Sequence, residues 1–194
     1  MPIIRYTPEQ SDVLEHMVVN DGIMLVEAGA GCGKSFMSRR IVQELPIKSG
    51  IYTAFNKAIV EEGVERFRGT PVECKTLHAL AYHYVQPSAS IQSFSYKCIA
   101  EKITYSEKRK IIDVLDTFFV SDSTCMHDYF EAYFQAHPRK KYMVDLAAKY
   151  VDGMAEGTVN PTFNFLLKAL HLMLVERTVE IKVDIVILDE INDV

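Results

Sequence analysis

One stretch limits the folds open to this chain more than any other. It is AGAGCGKS, Ala28 to Ser35, which follows the apolar run GIMLVE. A small residue, four further residues and then Gly-Lys-Ser is the spacing of a phosphate-binding loop. The chemistry asks for these residue types. Small side chains at Ala28, Gly29, Ala30, Gly31 and Gly33, with Cys32 among them, let backbone N–H groups turn inward around phosphate oxygens. Lys34 would then place its charge on the β- and γ-phosphates, and Ser35 would offer its hydroxyl to Mg²⁺, with Phe36 next in the loop's exit. ATP and Mg²⁺ are the cofactors this pattern calls for. A glycine-rich structural turn has a similar composition, but a run that follows a strand and opens a helix is the context that phosphate binding needs.

The flanking sequence supplies that context. GIMLVEA reads as a buried strand, and Met37, Ile41 and Leu45 share one face of a helix that Pro46 stops. SGIYTAF reads as a second strand, NKAIVEEGVERF as a helix, and VECKTLHAL as a strand passing into a helix; VDIVILDE is the last strand. Continuous Val/Ile/Leu strands alternating with helices predict an α/β fold with helices on both faces of a parallel sheet, and with the loop this reads as a P-loop NTPase. At the start, Thr7, Pro8 and Gln10 fit an N-cap, a first helical position and a capping box, ahead of Val13, Leu14, Met17 and Val18 at helical spacing.

Between Gln86 and Glu180 the texture is helical. Thr104 and Glu107 form a capping-box pattern before Ile111, Ile112, Leu115 and Phe118, and Met143, Leu146, Ala147, Tyr150 and Met154 form a second stripe. Asn160-Pro161 is the expected cap of the last helix. The reading is residues 1–85 as the first part of the sheet domain, 86–180 as a helical insertion, and 181–194 as the return strand.

At 194 residues and 48% hydrophobic, the chain can bury a core. No basic region precedes an apolar core at the start, so the expectation is an intracellular protein, cytoplasmic or nuclear and possibly virus-encoded, that is not secreted. The run Phe163–Val175 is too short to span a bilayer and carries Lys168 and His171, so no membrane partner is expected. Cys32, Cys74, Cys98 and Cys125 show no metal spacing and read as free thiols. A net charge of −5 gives no bulk attraction for nucleic acid, and DNA binding would need a local groove.

A phosphate loop needs an acidic partner at the end of another buried strand, and VDIVILDE provides Asp189-Glu190. Asp189 would hold Mg²⁺ through water and Glu190 would polarise the attacking water, beside Lys34 as the third catalytic group. An acidic pair after an apolar strand is common, and a solvated strand end is the simpler account of Glu190 taken alone.

YTPEQ, EAGAGCGKS, YTAFNKAIVEE, CKTLHALAYHYV and VILDEIND come in that order. This wording resembles superfamily 1 DNA helicases of the UvrD/Rep type, and most of all the F-box DNA helicase branch. The resemblance implies that the P-loop fold is RecA-like, and that Gln10 reads adenine, alongside or instead of its capping role. It implies that Phe55, Asn56 and Lys57 touch single-stranded DNA, against core packing for Phe55 and helix capping for Asn56. Thr76 and His78 match a second DNA-facing motif, although a lone His is more often structural. The helical insertion resembles subdomain 1B, where Arg139-Lys140-Lys141 could meet a DNA backbone or simply be solvated.

Two departures stand out. The family usually has Ser or Thr at Cys32, and usually ends its acidic motif Ala-Gln-Asp where this chain has Ile191-Asn192-Asp193. The later motifs do not follow before Val194. The resemblance therefore implies the ATP-binding part of a helicase, completed by a second RecA-like domain on a further polypeptide or chain region. Two alternatives compete: a small nucleotide kinase, whose lid arginines would have to come from the scattered Arg109, Arg139 and Arg177, and a non-catalytic binding or regulatory protein on the same fold.

Overall fold

The computed structural model describes residues 6–19, 22–27, 29 and 31–189, which form two compact units. The first unit holds residues up to Thr76 and those from Lys182 onward; the second holds Leu77–Ile181.

In the first unit, helices α1 (Pro8–Val19) and α2 (Lys34–Glu44) precede strand β1 (Gly50–Ala54), helix α3 (Lys57–Arg66) and strand β2 (Val72–Thr76). Strand β3 (Ile185–Leu188) returns from the far side of the second unit's sequence. The sheet order is β2-β1-β3 and both pairings are parallel, with Tyr52 opposite Cys74 on one side and Ile187 on the other. Every residue of β1 is buried. Entry into β3 is fixed by Asp184, whose Oδ2 accepts from the backbone N–H of Lys48 at 2.7 Å and of Ser49 at 2.9 Å. Those two donors hold the Asp184 carboxyl below its ordinary range.

The apolar face of this sheet carries Tyr52, Ala54 and Ile187, packed with Val42, Val60 and Phe67. Helix α3 comes so close that a Cβ on Gly63 would lie 2.5 Å from Tyr52 Cε1. The glycine therefore provides the seat for the tyrosine ring. On the opposite face of β3, Val186 and Leu188 remain 46% and 49% exposed.

The α/β class and parallel sheet agree with the sequence reading, but GIMLVEA does not form the strand expected there. Residues 23–27 have no regular secondary structure, and Ile23 and Leu25 are exposed. Apolar composition favours a strand only where a neighbouring ladder edge offers hydrogen-bond partners. Among the described residues the ladders join β1 to β2 and β1 to β3, and residues 23–27 belong to neither, although the outer edges of β2 and β3 stay open.

The second unit contains α4 (Leu77–Val85), the short 3₁₀ turn Tyr96–Cys98, α5 (Tyr105–Val120), α6 (Met126–Tyr133), α7 (Lys140–Glu156) and α8 (Phe163–Val175). The Thr104/Glu107 capping box is formed in both directions. Glu107 is pulled down to about 2, first by the N–H and hydroxyl of Thr104 and then by Arg139. The stripes on α5 and α7 bury Ile111, Leu115, Phe118, Met143, Ala147 and Met154. The cap of α8 is a correction: Thr162, not Asn160-Pro161, accepts from Phe165 N–H at 3.0 Å. The carbonyl of Pro161 instead receives Gln92 N–H at 3.0 Å.

Lys168, 2% exposed on α8, donates to the carbonyls of Ser121 at 2.8 Å and Ser123 at 2.6 Å. It thus closes the carbonyl end of α5, and its ammonium lies 4.4 Å from the centre of the Phe118 ring. No helix among the described residues is long and apolar enough to cross a membrane.

The Gly63 contact makes a testable demand. Alanine in a helix interior normally gains about 1 kcal/mol over glycine, whereas overpacking a filled site costs about 1–3 kcal/mol. With the Tyr52 ring held from several sides, Gly63→Ala is expected to lower unfolding free energy by about 1–2 kcal/mol in urea denaturation. A stabilising Gly63→Ala would contradict the close seat.

Candidate functional site

The glycine-rich loop reaches α2 through two left-handed residues, Gly31 at φ +77° and Gly33 at φ +83°. Side chains other than glycine rarely adopt these angles, which explains why the loop needs glycine there. Cys32 N–H bonds Gly29 O at 3.4 Å, and Met37 N–H bonds Gly33 O at 2.9 Å, so the turn closes and passes directly into the helix. Lys34 Nζ donates to Gly29 O at 3.2 Å, folding the lysine back over the loop. Lys34, Ser35, Phe36 and Cys32 are all exposed at this helix start. Ala28 and Ala30 lie outside the described residues.

Gln10 reaches the same place from α1. Its backbone N–H bonds Thr7 Oγ1 at 3.3 Å, and its Oε1 accepts Thr7 N–H at 3.2 Å, completing the capping box. Its other amide atom, Nε2, lies 3.1 Å from where a Cβ on Gly33 would stand. One side chain thus caps α1 through its oxygen and presents its nitrogen to the loop. What brings the two helices together is Tyr6. Its hydroxyl receives Arg40 Nε–H at 2.6 Å and donates to Glu44 Oε1 at 2.5 Å, one turn further along α2. The aromatic–basic–acidic cluster fixes the approach of α1, and sequence reading missed it because 34 residues separate Tyr6 from Arg40.

Asp189 follows β3, with its N–H bonded to Thr53 O at 3.0 Å. The Tyr52 hydroxyl donates to Asp189 Oδ2 at 2.6 Å, and Arg66 Nη1 donates to the same oxygen at 3.3 Å. Arg66 also reaches Tyr52 Oη at 3.3 Å, and its guanidinium stands 5.6 Å from the centre of the Tyr52 ring. Burial, and then the carboxylate beside it, push the Tyr52 phenol above its usual range, so it stays a protonated donor. Glu190 lies outside the described residues, as do residues 191–194.

Phe55, Asn56 and Lys57 sit together where β1 passes into α3. Phe55 is 45% exposed, so it is a surface aromatic and not a core residue. Asn56 caps α3, its Oδ1 accepting Ile59 N–H at 2.9 Å. Lys57 pairs with Glu61 at 3.6 Å in full solvent. Thr76 closes β2 in the first unit. His78 belongs to the second unit, where its ring meets Phe163 at 5.0 Å, and burial lowers its pKa, favouring the neutral imidazole. In the basic run, Arg139 binds Glu107 and stacks over Tyr142 at 4.8 Å, and Lys140 pairs with Glu131 at 3.1 Å. Two of its three charges therefore have roles inside the unit.

No group of three or more His, Cys, Asp or Glu residues able to hold a metal occurs among the described residues. The Ser35 hydroxyl and the Asp189 carboxylate are oxygen donors of the type Mg²⁺ takes. That ion keeps much of its water and takes one or two protein oxygens together with substrate phosphates. All four cysteines are free thiols.

Comparison with known proteins gives a partial likeness. A stretch of 79 residues is 34% identical to F-box DNA helicase 1 of Gallus gallus, covering 41% of this chain and 8% of that protein. A stretch of 85 residues is 33% identical to F-box DNA helicase protein 1 of Schizosaccharomyces pombe, covering 44% of this chain and 10% of that protein. The chain thus spans about a tenth or less of the length of these relatives. No protein-family model and no solved structure matches it. The similarity marks a helicase-related region.

The Asn56 bond predicts a separation of roles. Asn56→Ala should lower stability by about 1 kcal/mol through loss of the cap, while Asn56→Asp should keep it. Urea denaturation of both variants checks this; equal losses would show that the side chain does not act as a cap.

Proposed function

We propose that this chain is the ATP-binding part of an ATP-dependent DNA helicase of the superfamily 1 UvrD/Rep type. The observation that carries the reading is the loop itself. Two left-handed glycines lead into α2, Lys34 and Ser35 open that helix, and the Gln10 amide stands beside Gly33. The partial likeness to F-box DNA helicases supports the same reading.

In this reading residues 28–36 wrap the nucleotide phosphates through backbone N–H groups, with the partial positive charge of the α2 N-terminus behind them. Lys34 leaves its carbonyl contact on Gly29 for the β- and γ-phosphates. Gln10 Nε2 is the group that meets the adenine edge. Ser35 and Asp189 would hold the cation, and Glu190 would orient the attacking water. Mg²⁺, when bound, supplies charge neutralisation on the phosphate oxygens.

Single-stranded DNA is the proposed partner of Phe55, Asn56 and Lys57, with Thr76 and His78 as further contacts. An exposed aromatic ring beside a cation offers a stacking surface and a phosphate contact. By the resemblance, residues 1–85 and 181–194 act as RecA-like domain 1A and residues 86–180 as the 1B-like insertion, with α4 (Leu77–Val85) of that first range packed in the second compact unit. A second RecA-like domain beyond these residues completes the motor and brings the arginines that act on the γ-phosphate, which are worth several orders of magnitude in rate. Translocation and duplex unwinding belong to the completed assembly.

Titration with a fluorescent ATP analogue tests the nucleotide site. The chain should bind it, and Lys34→Ala should weaken binding by about tenfold or more, the scale of losing charge-assisted hydrogen bonds. Binding that ignores Lys34→Ala would overturn the assignment.

A further inference from the structure

We propose that Tyr52 and Arg66 are positioning residues for Asp189: they fix one carboxylate oxygen so that the other is free for the hydrated cation of a bound nucleotide. The inference rests on the nucleotide reading above and extends it to two residues outside the loop and acidic motifs.

The geometry is specific. Both donors converge on Oδ2, Tyr52 at 2.6 Å and Arg66 at 3.3 Å, and Oδ1 receives no hydrogen bond from any described residue. The donors are themselves held. Arg66 leaves the last turn of α3 three residues after Gly63, so it lies on the same helix face that seats the Tyr52 ring. Phe67 closes the other side, its ring centre 5.1 Å from that of Tyr52. Asp189 and Arg66 side chains are only 22% and 15% exposed, so the pair is shielded from bulk screening.

Two effects oppose each other. A guanidinium beside the carboxylate weakens its attraction for a cation. A carboxylate without its outer partners, however, rotates and loses alignment, and removing such partners typically costs about 10–100-fold in metal affinity. With Tyr52 and Arg66 both on Oδ2 and Oδ1 left for the cation, alignment is expected to outweigh the opposing charge. Tyr52→Phe separates the two effects, since it removes a donor and changes no charge.

The experiment measures affinity for a fluorescent ATP analogue in EDTA and in Mg²⁺, for the unmodified chain, Lys34→Ala, Tyr52→Phe, Arg66→Gln and Arg66→Lys. The ratio of the two affinities is the readout. Tyr52→Phe and Arg66→Gln should reduce the Mg²⁺-dependent gain by about tenfold and leave binding in EDTA unchanged, with Arg66→Lys recovering part of the gain. An unchanged or larger gain in Tyr52→Phe overturns the proposal, and so does a parallel loss in EDTA, the mark of a general structural role. If the unmodified chain shows no Lys34-dependent binding at all, the nucleotide reading fails and this proposal falls with it.

Discussion

The first unit is organised by β1. Its five residues are buried and both of its edges are hydrogen-bonded, to β2 on one side and β3 on the other. A short strand enclosed in this way cannot move without breaking two ladders, so whatever is attached to it shares its rigidity. Tyr52 stands at its centre, ring against Gly63 and hydroxyl on Asp189. The segment Phe55–Lys57 leaves its far end and starts α3, which in turn carries Gly63 and Arg66 back to Tyr52. A loop of contacts therefore runs from the strand through the helix to the carboxylate and returns to the strand.

The loop at residues 29–35 depends on a different anchor. Tyr6, Arg40 and Glu44 bind α1 to α2, and this brings Gln10 to Gly33. Neither anchor contains a residue of the phosphate-binding or acidic motifs. The groups that could act on a ligand are thus held by partners that range from the buried Tyr52 to the exposed Glu44.

Much of this was legible in the sequence where the signal is local. The capping boxes at Thr7/Gln10 and Thr104/Glu107 form as their three-residue spacing requires, and the apolar stripes on α5 and α7 face inward as helical periodicity demands. Signals failed where the deciding partner is distant or close alternatives compete. Residues 23–27 have the composition of a buried strand, but composition does not encode which segments join a ladder, and these pair with neither β2 nor β3. Asn160-Pro161 resembles a helix start, yet Thr162 two residues on provides the hydroxyl with the right reach. Asp189 could be named from its place after an apolar run, whereas its partners Tyr52 and Arg66 lie 137 and 123 residues away and carry no local mark.

The central claim is that the loop before α2 and the carboxylate after β3 serve one nucleotide. The most direct test is paramagnetic broadening of backbone amide signals by Mn²⁺ bound to a non-hydrolysable ATP analogue. The account predicts that signals of residues 29–36 and of residues 187–189 broaden together, and that Lys34→Ala abolishes both effects. Broadening confined to one of the two segments, or retained in Lys34→Ala, would contradict it.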